Sequence, residues 1–348
     1  MSFSLFRRSS LLAAPLVALT LALTGSSATI AGGSPAGAGS PADYQPLPLR
    51  GDLNAHDPSF TQVGSTWFVL NTGDPAVNGG TIQIKKSTDH RTFTSVGTVW
   101  NEIPAWIKDD VPAVTNLWAP QVYFHQGTYY LYYSASSFGS NNSLIALATN
   151  TTLDPSAPGY RWVDQGLVWR SRTSDDYNAI DPAVVEDGAG TPYLTFGSFW
   201  SGIRQIPLQW PTGKPAADVT TPARLVDRQV PPNAVEAPYL IRHQGYYYLF
   251  VSFDFCCRGV DSTYKIAVGR SRSVSGPFTD ELGTPLLQGG GTVILSSDGA
   301  MVGPGGASIS GDLLAHHYYD ANAGGAITLA LRRITWRSGG WPALTYLH

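Results

Sequence analysis

Beyond residue 45 the chain shows almost no helical periodicity. Short runs of alternating apolar and aromatic residues recur, separated by Gly, Asn, Asp and Pro, and a period of two marks strands. One phrase repeats: a small or acidic residue, Pro, a hydrophobic strand, a Gly turn, then an aromatic strand. It runs from Asp57-Pro58 through Gly64 to Trp67-Phe68-Val69-Leu70, and from Ala119-Pro120 through Gly127 to Tyr129-Tyr130-Leu131-Tyr132-Tyr133. It returns from Asp181-Pro182 through Gly190 to Tyr193-Leu194-Thr195-Phe196, and from Ala237-Pro238 through Gly245 to Tyr246-Tyr247-Tyr248-Leu249-Phe250. A weaker fifth copy joins Gly305-Gly306-Ala307 through Gly311 to Leu313-Leu314-Ala315-His316-His317-Tyr318.

The copies start at 57, 119, 181, 237 and about 307, and each has room for two further short strands, such as Ser143-Leu144-Ile145-Ala146-Leu147. Units of that length, each holding several strands, predict an all-β, five-bladed β-propeller. In that architecture the first strand of every blade lines the central channel, so the residues at its entry converge on one mouth. An irregular two-sheet sandwich would not explain five phrases in phase.

The entry positions carry the chemistry. Blade one has Asp57, blade three Asp181, blade four Glu236 just before Ala237-Pro238, and blade two Trp118 just before Ala119-Pro120. A carboxylate at the buried end of an apolar strand is costly to desolvate and calls for a reason. A single Asp-Pro is an ordinary turn signal. Three acids at the entries of a repeat are better explained by glycoside hydrolysis, which needs a proton donor and a carboxylate base or nucleophile. A third acid nearby raises the pKa of the donor.

Composition narrows the partners. The net charge is −3 with no Lys/Arg run, which argues against a nucleic-acid binder. Charged residues are scarce at 14% while aromatics reach 11%, and flat aromatic rings suit the C–H faces of sugars, although Tyr and Trp are also plain strand formers. Arg7-Arg8 followed by an apolar run from Leu11 to Leu23 and small residues reads as an export signal over residues 1–31, by the Sec or the twin-arginine route. Residues 32–45 read as a flexible Gly/Ser/Pro/Ala linker and 46–348 as the propeller. No second apolar stretch is long enough to span a bilayer, so a secreted, soluble monomer without membrane partners is expected. The two cysteines, Cys256 and Cys257, are adjacent, which excludes a Cys-rich zinc site. In an oxidising compartment they can close a vicinal disulfide or pair with nothing.

Four segments together resemble glycoside hydrolase family 43, and within it the endo-arabinanases. They are Asn54-Ala55-His56-Asp57-Pro58-Ser59, Leu117-Trp118-Ala119-Pro120, Asn178-Ala179-Ile180-Asp181-Pro182 and Val235-Glu236-Ala237-Pro238-Tyr239. The resemblance implies an inverting enzyme in which Asp57 is the general base, Glu236 the general acid, and Asp181 the carboxyl that orients Glu236 and tunes its pKa. It implies arabinan as the substrate, with Trp118, Phe138, Asn178 and Ser198 as substrate contacts. It also implies a hydrated calcium ion in the channel, with His317 as the candidate protein ligand. His316 and His317 alternate on a strand, so only one of them faces the channel. Many relatives carry His where this chain has Gly306, which removes a second His contact. The Cys256-Cys257 segment also has counterparts in endo-arabinanases, which suggests a vicinal disulfide on a loop near the cleft.

Two alternatives share much of this pattern. An exo-acting α-L-arabinofuranosidase or β-xylosidase of the same family would keep all three acids. Many such xylosidases carry a further C-terminal β-sandwich, whereas this chain stops at His348, which favours the endo-arabinanase expectation. A non-catalytic carbohydrate-binding propeller would keep Trp118 and Phe138 but would not need three acids.

Overall fold

The computed structural model describes residues 48–346. The expected export signal and the whole of the expected linker lie outside the described residues. Five sheets follow one another along the chain, over residues 59–98, 117–171, 183–226, 235–295 and 301–345. Each is a four-stranded antiparallel meander, and the first gains a short parallel edge strand, Arg50–Gly51, paired with Thr92–Thr98. The molecule is a five-bladed β-propeller, as the repeat predicts.

The core lies between the blades rather than within one layer. Five clusters of buried hydrophobic residues each join two neighbouring blades. The period-two rule shows how one strand serves two clusters. In the second strand of blade two, Thr128–Ala135, Tyr129, Leu131 and Tyr133 face blade one, while Tyr130 and Tyr132 face blade three. In the matching strand of blade four, Tyr246–Phe253, Tyr247, Leu249 and Val251 face blade three, while Tyr248 and Phe250 face blade five. The tyrosine-rich strands are therefore inter-blade core, and the strand-former reading holds for most of the aromatics.

Each blade is one continuous chain segment, so the ring closes without a shared strand. Blade five meets blade one through Phe60 N–H to Ser308 Oγ (2.9 Å), Gln62 N–H to Ser310 Oγ (3.2 Å) and Leu329 N–H to Leu53 O (2.8 Å). The apolar cluster of Phe60, Trp67, Leu313 and Leu331 backs the same seam.

Candidate active site

One residue per blade adopts left-handed backbone at the channel mouth: Asp57 (φ 49°), Ala119 (45°), Asp181 (60°), Ala237 (50°) and Gly306 (67°). Four of them precede proline. A non-glycine residue there costs about 1–2 kcal/mol, so the surroundings must hold it. They do so by one device repeated five times: the N–H of each residue donates to a side chain of the preceding blade. Ala119 donates to Thr72 Oγ1 (2.9 Å), Asp181 to Ser134 Oγ (3.0 Å), Gly306 to Ser252 Oγ (3.0 Å) and Asp57 to His317 Nδ1 (3.1 Å). Ala237 donates to Asp181 Oδ2 (3.0 Å). The first-strand residues after these positions, with Pro58, Pro120, Pro182 and Pro238, line the channel.

This ring shows what the one-residue offset among the three acids and Trp118 means in space. Asp57 and Asp181 occupy the left-handed position, aligned with Ala119 and Ala237. Glu236 and Trp118 stand one residue earlier, opposite Ser252 and Ser134 in their ladders. Both of those ladders slip at the next step, between Glu236 and Tyr239 and between Trp118 and Gln121. A bulge re-aims side chains. Glu236 and Asp181 thus approach each other from neighbouring blades at different backbone positions.

Asp57 is held ionised. Its Oδ2 accepts from His56 Nδ1 (2.7 Å) and from Thr72 Oγ1 (2.7 Å), and His317 lies 3.8 Å from Oδ1. Burial by itself would raise this carboxyl. The charge and hydrogen bond of His56, with the Thr72 hydroxyl, outweigh burial and hold it well below the usual carboxylate range. His56 feels the reciprocal pull: burial would lower it, but Asp57 raises it above an ordinary histidine.

Glu236 and Asp181 are displaced the other way. Glu236 is buried at 8% exposure and accepts from Ser198 Oγ (2.6 Å) and Tyr264 Oη (2.7 Å). Burial dominates and raises its pKa against those two hydroxyls, with a further push from the Asp57 charge. Asp181 stands well above the normal range because of burial, then the nearby charges of Glu236 and Asp57, with only the Ala237 N–H opposing. Both carboxyls of this pair therefore resist ionisation, whereas Asp57 ionises readily.

The other expected site residues are distributed as follows. Trp118 is half-buried on the first strand of blade two, Leu117–His125. Phe138 is 84% exposed on the following loop, between strands Thr128–Ala135 and Ser143–Asn150. Ser198 is buried and its hydroxyl is committed to Glu236. Asn178 is also buried, with Oδ1 accepting from Ser143 Oγ (2.6 Å), so that it braces the segment leading to Asp181. Sequence reasoning missed the roles of Thr72, Tyr264, Tyr319 and His56. The signal for Thr72 was available: it, Ser134, Ser252 and His317 all follow the aromatic strand core at one phase.

His317 faces the channel and His316 the opposite side, where its Nδ1 lies 3.0 Å from the His317 carbonyl. Burial first, and then the charge of His56, keep His317 far below the usual histidine pKa and so neutral. Its Nδ1 accepts the Asp57 N–H, which leaves the ring proton on Nε2, a buried atom without a partner among the described residues. Calcium takes about six to eight oxygen ligands. The cluster of His56, Asp57 and His317 supplies one carboxylate, already bonded to His56 and Thr72. These residues do not form an all-protein calcium cage, so an ion held through His317 would take most of its ligands from water. Cys256 and Cys257 are joined as a vicinal disulfide beside His56.

One carboxyl with a lowered pKa and two with raised ones, gathered at the mouth of a five-bladed propeller, are the groups that a propeller glycosidase needs. The chain belongs to glycosyl hydrolases family 43, whose family model matches residues 51–342. It is 43% identical over 290 residues to the extracellular endo-α-(1→5)-L-arabinanase 1 of Bacillus subtilis (strain 168), covering 83% of this chain and 87% of that protein. It is 37% identical over 304 residues to the extracellular exo-α-(1→5)-L-arabinofuranosidase ArbA of Cellvibrio japonicus (strain Ueda107), covering 83% and 86%. Among solved structures, a GH43 endo-arabinanase from Bacillus licheniformis superposes with a TM-score of 0.79 at 42% identity, over 85% of this chain and 99% of that one.

Proposed function

We propose that this protein hydrolyses internal α-1,5-L-arabinofuranosyl bonds of arabinan with inversion of configuration. The observation that carries the reading is the opposed displacement within one site: the Asp57 pKa is lowered by His56 and Thr72, while those of Glu236 and Asp181 are raised, by burial first and then by neighbouring carboxylate charge. Asp57 takes a proton from water as that water attacks the anomeric carbon. Glu236 gives its proton to the departing oxygen. Asp181 shares the buried carboxyl pair with Glu236 and fixes the Ala237 backbone beside it. Between turnovers, Asp57 loses a proton to solvent and Glu236 regains one.

The substrate reading is supported by relatives named for arabinan, and the endo reading by the endo-arabinanase of Bacillus subtilis. Trp118 and the exposed Phe138 are assigned to stack on sugar rings, and Ser198 and Asn178 to support the site from beneath. The relatives' extracellular naming supports export of this chain.

Debranched linear arabinan, with chromatography of early products, tests this directly. A ladder of short oligomers supports internal cleavage. Arabinose alone would mean exo action, as in the named Cellvibrio relative, and no product would leave a sugar-binding propeller. Proton NMR of the first-formed reducing end tests inversion, because a retained α-anomer contradicts a water attack assisted by Asp57.

A further inference from the structure

Next to the acid–base groups lies a feature that hydrolysis itself does not use. Cys256 and Cys257 sit on the loop after the strand Tyr246–Phe253, and Cys257 is exposed with left-handed backbone (φ 66°). That conformation aims the Cys257 N–H at Tyr319 Oη (2.7 Å). Tyr319 Oη lies 3.0 Å from His56 Nε2, and His56 Nδ1 lies 2.7 Å from Asp57 Oδ2. Cys257 Sγ itself is 3.7 Å from His56 Nε2, while the other face of the His56 ring stacks on His317 at 3.9 Å. His56 is therefore held by Asp57, Tyr319 and His317, and among the described residues its contact from blade four is the disulfide loop.

We propose that the Cys256–Cys257 disulfide is a positioning element for the base Asp57, acting through Tyr319 and His56. Adjacent side chains on an extended chain point to opposite faces. The covalent link holds these two on one side and keeps Cys257 turned towards Tyr319. Opening it releases Cys257 from a conformation that non-glycine residues avoid. The rest of the loop does not depend on the link: Thr263 N–H still bonds Phe255 O (2.9 Å), and Arg258 N–H still bonds Ser262 Oγ (3.1 Å). The effect is thus local, at His56, rather than a loss of fold. This rests on the reading of Asp57 as the base.

The opening step is a two-electron exchange. An added dithiol gives two electrons and two protons to the S–S bond, producing two cysteine thiols and its own cyclic disulfide. The exposed Cys257 makes the bond accessible to it.

A mutant cycle tests the relay on the full exported protein: the double variant Cys256→Ser/Cys257→Ser, Tyr319→Phe, and all three changes together. The expected result is a several-fold fall in kcat with nearly unchanged KM in each arm, and no further fall when the arms are combined. Losses that multiply, losses confined to KM, or unchanged kcat would overturn the proposal. Dithiol treatment of the wild type should lower kcat reversibly and leave the serine variant unaffected, which removes doubt about variant folding. A second readout needs no substrate: the imidazole 15N signals of His56, assigned with His56→Gln, should move when the wild type is reduced and move markedly less when Tyr319→Phe is reduced, where only the direct Cys257 Sγ contact remains. Unmoved signals in the wild type refute the relay even if arabinan proves to be the wrong substrate.

Discussion

Asp181 accepts the backbone N–H of Ala237 at 3.0 Å. In the other four blades the matching bond goes to Thr72, Ser134, Ser252 or His317, on the second strand. In blade three that second-strand position is Gly197, where a Cβ would meet the Gly202 carbonyl oxygen at 2.5 Å. No side chain fits, and the carboxylate of the first strand takes over the bond. One acid thereby braces the backbone next to Glu236 and shares its buried environment.

Replacing Asp181 by Asn separates those two duties, because the amide oxygen still accepts from Ala237. Asp181 has a pKa raised by folding. Such an acid binds its proton more tightly folded than unfolded, so its contribution to stability is greatest at low pH and declines as pH rises past the ordinary carboxyl range. Asp181→Asn is therefore expected to raise Tm by a few degrees at pH 7, with the gain vanishing below about pH 4. Activity should fall, because Glu236 loses the ionisable partner that shares its buried environment. A melting temperature lower than wild type at pH 7 contradicts this account.

The acid and base are separable by leaving group. Glu236→Ala removes the proton donor and should lower kcat on arabinan by about 10²–10⁴-fold. An aryl arabinoside with a good leaving group needs little protonation and should recover much of that loss. Asp57→Ala lacks the water-activating group and should stay slow on both substrates. Equal recovery in the two variants would reverse or void the assignment.

Much of this site was legible in the sequence, and the limit was physical. The acids stood out because Asp57-Pro58, Asp181-Pro182 and Glu236-Ala237-Pro238 break an otherwise apolar repeat. The blade boundaries followed from the Gly turns. What pattern alone did not reveal was the backbone handedness at the channel mouth, since proline usually disfavours helical backbone in the residue before it. The direction in which the offset Glu236 side chain is aimed depends on that handedness and on the bulge beside it. Tyr264 was hidden for another reason: a buried tyrosine in a strand-rich chain looks like core until its hydroxyl is seen on Glu236. The disulfide loop was visible as Cys256-Cys257, but its link to His56 crosses three blades.

Thr72 serves two blades at once, donating to Asp57 Oδ2 and accepting from Ala119 N–H. Thr72→Val keeps the shape and removes both bonds. A buried N–H left unpaired costs about 1–3 kcal/mol, which differential scanning calorimetry should register as a lower Tm. Asp57 loses one of the groups that depress its pKa, so its ionisation requires higher pH. The acidic limb of kcat/KM should move upward while the basic limb stays in place. Movement of both limbs together would point to a general distortion instead.

Gly305 makes room for Tyr264. A Cβ at Gly305 would lie 2.0 Å from Tyr264 Cδ1 and 2.2 Å from Cε1, both atoms of a ring that is itself fully buried. Neither side can yield cheaply, because the ring is enclosed and Gly305 is paired with His317 in its ladder. Gly305→Ala is therefore expected to push the Tyr264 hydroxyl away from Glu236. Tyr264→Phe deletes that hydroxyl without the clash. Both variants remove a donor that favours the charged form of Glu236, so in both the pKa of the acid should rise further and the basic limb should move to higher pH. The two differ in stability: Gly305→Ala should lower Tm clearly through overpacking, by about 1–3 kcal/mol, and Tyr264→Phe only slightly. If Gly305→Ala loses stability but keeps the wild-type basic limb, then Tyr264 does not set the ionisation of Glu236.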